Sequence, residues 1–208
     1  MQRRRFVLSV VIALFLSTLT WADSTPVNMT LLYVGGNNSG GYYTYPYYFS
    51  VNGGKATPMM CDSFANHVSI GESWSANVTG LLSGKGLFGA QYLDYKAAGL
   101  IFMGVTSGQI SANTGNWAVW NLFDPGVSTD PAVLALEQSE LASAKHASAS
   151  TFRGLVLYTP VGAKPGQGPQ EYIGYRHGLS TPEPGTMMML GTGLLGIGGM
   201  FRRKLARA

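Results

Sequence analysis

The chain has 208 residues, 46% of them apolar and only 12% charged, with a formal net charge of +4. Its single cysteine, Cys61, excludes an intrachain disulfide framework, so packing has to hold the fold. Seven of the fourteen Lys and Arg sit at the two ends, and the other seven face ten acids, which leaves −3 between the ends and excludes the basic surface that nucleic acid or anionic lipid would need.

The N-terminus opens with Arg3, Arg4 and Arg5, runs apolar from Phe6 to Leu16, and reaches Thr20-Trp21-Ala22 before the first acid, Asp23. This reads as a secretory signal peptide over residues 1–22, with small residues at 20 and 22 for the peptidase cleft and cleavage after Ala22. About a dozen apolar residues fall short of the ~20 a spanning helix needs, which argues against an uncleaved anchor. The implied partners are the Sec translocon and signal peptidase.

Residues 23–178 follow as one exported globular domain, rich in Gly, Asn, Ser, Thr and Tyr. Val27 to Val34 alternates and predicts a strand; the glycine and asparagine run from Gly35 to Gly41 predicts a loop. Tyr42 to Val51 predicts an extended aromatic strand, and Asn52-Gly53-Gly54 a tight turn into a strand from Thr57 to Val68. Apolar spacing of three and four predicts a helix from Phe88 to Met103, then a second from Ser107 or Asn113 to Phe123, and a third from Pro131 to Ala147 with proline in its first turn. Phe152 to Thr159 returns to strand, and Gln170 to Tyr175 adds a last one. The expected class is α+β: an antiparallel sheet or barrel with a helical insertion, flanked by an N-terminal signal helix and a short C-terminal transmembrane helix.

Few residues in this domain carry a chemical signature. Gly84-Lys85-Gly86-Leu87-Phe88-Gly89 fits a dinucleotide-loop pattern, but no acid lies about 20 positions on, so it reads as a loop ahead of a helix. His67, His146 and His177 are not at metal-ligand spacing, and no nucleophile-elbow motif occurs. The acids Asp62, Glu72, Asp94, Asp124 and Asp130 are scattered, and a glycan-active carboxylate pair cannot be assembled from sequence. No cofactor, no metal and no enzymatic activity are expected. Tyr42, Tyr43, Tyr45, Tyr47 and Tyr48 form an aromatic run in which Tyr43, Tyr45 and Tyr47 alternate, the arrangement that stacks sugar rings on one strand face or fills a core.

Two resemblances add to this. Met59-Met60-Cys61-Asp62-Ser63-Phe64, Asn116-Trp117-Ala118-Val119-Trp120 and Gln170-Glu171 distantly resemble thioester-type surface adhesin domains. That resemblance implies a covalent pair of Cys61 with Asn116, which stands where the family has a glutamine and is one methylene shorter. The residues themselves equally permit Cys61 as a small buried hydrophobe and Asn116 as a buried hydrogen-bonding group.

The C-terminal segment, residues 179–208, carries Pro182-Glu183-Pro184, an uncharged stretch at 187–201 and a basic cluster of Arg202, Arg203, Lys204 and Arg207. The stretch is about fifteen residues, roughly 22 Å as a helix against a ~30 Å hydrocarbon core, and five glycines weaken it further. The cluster stays cytoplasmic by the positive-inside rule. These three parts resemble the PEP-CTERM sorting signal, also described as an ice-binding protein C-terminal domain, a label that says nothing about ice. The resemblance implies an exosortase substrate held briefly in the inner membrane with its domain outside. Removal of the tail then delivers it to the cell surface, an exopolysaccharide or a biofilm matrix. A noncatalytic structural or binding protein is the expected role; a covalent adhesin and a secreted glycan-active enzyme are the alternatives.

Overall fold

A computed structural model describes residues 25–36 and 38–176. The expected signal helix, the 187–201 stretch, the Pro182-Glu183-Pro184 motif and the basic cluster lie outside these residues. The chain divides into two units after Gly174, and the fold below is that of the first.

Six strands close an antiparallel barrel in the order β1-β4-β5-β8-β7-β6. They are β1 Val27–Val34, β4 Tyr47–Val51, β5 Thr57–Cys61, β6 Ser73–Gly80, β7 Leu155–Pro160 and β8 Tyr172–Tyr175. A separate two-stranded hairpin pairs β2 Asn38–Ser39 with β3 Tyr42–Tyr43. Between β6 and β7 run three helices, α1 Tyr92–Thr106, α2 Ala112–Phe123 and α3 Pro131–His146, then a short 3-10 turn Ala149–Phe152. The expected α+β barrel with a helical insertion is what the chain forms.

Local chemistry explains the boundaries. Asn52 and Gly53, with φ of 50° and 73°, form a left-handed turn at the end of β4, closed by the Gly54 N–H on the Val51 carbonyl at 2.9 Å. Ser111 caps α2 by accepting from Thr114 N at 3.1 Å. Asp130 caps α3 by accepting from Ala132 N at 2.8 Å, with Pro131 in its first turn and Lys145 and His146 in its last.

Several expectations need correcting. The loop at Gly35 to Gly41 contains β2, and the Tyr42–Val51 strand is broken. At the break the Tyr45 N–H bonds the Asn116 side chain at 2.8 Å and Thr44 Oγ1 donates to Asn113 Oδ1 at 2.6 Å, so this stretch is tied to α2 instead of a ladder. Strand β5 stops at Cys61, not Val68, and His67 falls in the irregular connection to β6. Helix α1 starts at Tyr92, four residues later than expected, because Gly86–Gly89 closes a bridged turn ahead of it. Strand β6 was not expected at all. Its inward residues include Ala76, whose small side chain gives little apolar periodicity even though it is fully buried.

The core joins the barrel to the helices. Met60, Leu157 and Ile173 from strands pack with Tyr95, Ile101 and Phe102 of α1 and Ala118, Val119 and Leu122 of α2. Gly115 lets α1 and α2 approach: a Cβ there would lie 2.4 Å from Val105 Cγ2. A second layer of rings, Phe49, Trp74, Tyr47 and Tyr172, fills the barrel interior with centroids 4.4–6.4 Å apart.

Candidate functional site

The polar groups of the core gather where β5 meets β8. These strands share two residue pairs, Met60 with Ile173 and Cys61 with Tyr172. One step outward Asp62 faces Glu171, and the Asp62 N–H donates to the Glu171 carbonyl at 3.3 Å. Both side chains are fully buried.

The two carboxyls are unequal. Glu171 Oε1 accepts from the Tyr95 hydroxyl at 2.7 Å, while Oε2 accepts from the Leu87 N–H at 2.8 Å and from the Thr159 hydroxyl. Neither Asp62 oxygen receives a hydrogen bond from any N–H or hydroxyl. A buried carboxylate with no donor is costly, so the site favours the protonated form of Asp62, the form able to donate to its neighbour Glu171. Burial first, and the Glu171 charge second, hold Asp62 well above the usual carboxylate range. Burial also raises Glu171, but the donors from Thr159, Tyr95, Asp62 and Leu87 oppose the rise, which makes Glu171 the charged member.

The Gly84 to Gly89 loop serves this pair. Its Leu87 N–H reaches Glu171 and its Phe88 N–H reaches the Tyr95 hydroxyl at 3.2 Å, so the loop cradles an anion that belongs to the chain itself. Gly86 is required there, since a Cβ would sit 2.2 Å from the Tyr95 hydroxyl. Burial, then Asp62 and Glu171, push the Tyr95 hydroxyl up as well, which keeps it a donor.

Cys61 and Asn116 do come together, though not through sulfur. Asn116 Nδ2 donates to the Cys61 carbonyl at 2.9 Å and Oδ1 accepts from Tyr45 N, so the amide ties α2 to β5 and to the segment ahead of β4. Cys61 Sγ donates to the Ser63 carbonyl at 3.5 Å. Burial, with Asp62 next in weight, pushes this thiol up to about 12. An aromatic cluster stands over the pair: Trp117 and Trp120 meet at 5.1 Å, Phe64 lies 5.3 Å from Trp120, and Tyr42 of the hairpin sits 5.0 Å from Phe64.

The three alternating tyrosines do not share a face. Tyr43 is 49% exposed, Tyr45 is half-buried against Phe102, and Tyr47 is buried and donates its hydroxyl to the Tyr43 carbonyl. An exposed aromatic face lies instead on β1 and β4, where Tyr33, 48% exposed, stacks on Tyr48 at 4.5 Å. A bulge between Leu31 and Tyr33 breaks the alternation there. Among the described residues no group of three or more His, Cys, Asp or Glu is placed to hold a metal.

Sequence reasoning missed the Asp62–Glu171 pair, its Tyr95 and Thr159 donors, and Asn66. A faint signal existed in Asp62, an acid directly after the apolar run Met59-Met60-Cys61. Asn66, 2% exposed, pins the loop before β8: Nδ2 lies 3.0–3.3 Å from the carbonyls of Lys164, Gln167, Gly168 and Pro169, and Oδ1 accepts from Gly166 N at 2.9 Å.

No curated protein and no solved structure matches the chain, so the likeness to thioester-type adhesins has no support from that direction. Among the described residues no helix is long and apolar enough to cross a membrane. The family described as PEP-CTERM protein-sorting motif matches residues 180–204. The chain therefore carries the sorting motif of an exosortase substrate, which marks it as an exported protein anchored transiently in a membrane before processing.

Proposed function

We propose that the barrel is a noncatalytic structural or binding domain displayed at the cell surface or in an exopolysaccharide matrix. The sorting motif at 180–204 carries this reading. Two features of the fold support it. The carboxyl pair most able to do acid–base work, Asp62 and Glu171, is sealed in the core and in direct contact, whereas a glycosidase needs its two carboxyls about 5 Å or more apart, flanking a sugar. The Tyr33–Tyr48 stack and the exposed Tyr43 supply flat aromatic faces suited to sugar rings.

Cell fractionation tests the sorting. Wild-type chain should lose its tail and leave the inner membrane only when exosortase is present, and Glu183→Ala should accumulate full length in that membrane. A wild-type chain that stays full length beside active exosortase sinks the reading. For the binding role, Tyr33→Ala with Tyr48→Ala should reduce retention on exopolysaccharide isolated from the producing cell; unchanged retention would remove this face from consideration.

A covalent adhesin is the second reading, favoured by the contact between Asn116 and Cys61. The engaged amide and the un-ionised buried thiol work against it. Intact mass separates the two: a chain lighter by one ammonia supports a thioester, and an unmodified mass with one titratable thiol ends the idea.

A further inference from the structure

The β5–β8 junction is narrow, with two residue pairs against five in β1–β4 and five in β6–β7. Immediately beyond it the strands are held by Asp62 and Glu171. The groups facing this pair are Cys61 of β5, Tyr172 of β8, Tyr95 of α1, Thr159 of β7 and the Leu87 N–H, with Tyr47 of β4 and Glu72 ahead of β6 acting at longer range on Tyr172. Among the described residues no Lys, Arg or His bonds to either carboxyl. One proton is therefore all that separates a carboxyl–carboxylate hydrogen bond from two touching anions in a dry core. Such a contact is strongly repulsive.

We propose that Asp62 and Glu171 form a one-proton latch on the β5–β8 seam, shut while the pair keeps its proton and released when the proton passes to a base in solvent. The sign follows from linkage. An unfolded Asp titrates near 3.9 and the folded Asp62 titrates above it, so the seam is tightest in acid and loosens as pH climbs from the unfolded value toward the folded one. A displayed domain built this way is firmest in an acidic surrounding and yields at its barrel seam in an alkaline one.

Cys61, fully buried beside the pair, reports the seam. Full chain in a non-denaturing detergent is labelled with iodoacetamide from about pH 5 to about pH 9, and wild-type rates are divided by those of Asp62→Asn. The division removes the thiolate dependence common to both. The asparagine amide donates to Glu171 and cannot titrate. The ratio should climb toward tenfold per pH unit, the limit for one proton. Glu171→Gln, whose amide donates to Asp62, should behave like Asp62→Asn and replaces it as divisor if that variant does not fold. A ratio flat with pH overturns the latch. So does a wild-type rate at high pH that calcium chloride suppresses, since a cation and not a proton would then hold the pair.

Discussion

Replacing Asn66 by alanine removes a side chain that no other residue near β8 can replace. Asn66 Nδ2 carries two protons, so of the four carbonyls within 3.0–3.3 Å it serves two well at any moment, and Oδ1 adds the Gly166 N–H. Three part-buried bonds at about 0.5–1.5 kcal/mol each, with some rescue by water, give a loss of about 2–4 kcal/mol. Urea unfolding followed by tryptophan fluorescence measures it. Amide exchange should show the 164–169 loop deprotected in the variant before the helices are. Asn66→Asp sharpens the test, since it has almost the same shape but turns a carboxylate oxygen toward four carbonyls. Aspartate should therefore be at least as damaging as alanine at neutral pH and recover as pH falls. A loss below about 0.5 kcal/mol for alanine, or an aspartate variant as stable as wild type, would refute the view that this amide holds the loop.

Three other outcomes follow from the core. Gly86→Ala should destabilise by about 1–3 kcal/mol in thermal melts, because the new methyl overlaps the Tyr95 hydroxyl and Leu157; an unchanged melting temperature would mean that the loop has room. The thiol of Cys61 should react far more slowly in the folded chain near neutral pH than in denaturant, as expected for a buried group pushed up to about 12; equal rates would contradict the burial. Tyr95→Phe removes one of the donors that let Glu171 carry charge, so it should cost about 1–3 kcal/mol at neutral pH and less in acid, where Glu171 is neutral; a loss independent of pH would assign the effect to packing alone.

Legibility in the sequence followed the range of the interactions. The alternation of β1, the apolar run of β7, the Asn52–Gly53 turn, the apolar spacing of the helices and the first-turn proline of α3 are each local signals. The sorting motif is legible for the same reason, as its three parts are contiguous. What escaped depends on distant pairing. Ser63 and Glu171 are 108 positions apart, and only closure of the barrel shows that Asp62, next to Ser63, pairs with Glu171. The Gly84–Gly89 stretch reads in sequence only as a loop ahead of a helix, and nothing local announces that its Leu87 amide meets a carboxylate, that of Glu171. The tyrosine run misled because alternation assumes an unbroken strand, and the Tyr45 N–H is spent on Asn116.

The order of the strands has a consequence for how the domain is made. Strand β8 lies between β5 and β7, not at an edge, so the cylinder has a gap until residues 172–175 arrive. A chain is synthesised N-terminus first, and the sorting motif begins at residue 180, directly behind that strand. Without β8 the remaining strands form an open sheet with two bare edges, at β5 and β7. The last segment to complete it is the one that brings the sorting signal with it. Closure of the cylinder and readiness for sorting are thus nearly simultaneous events, and a chain truncated before β8 would lose both together.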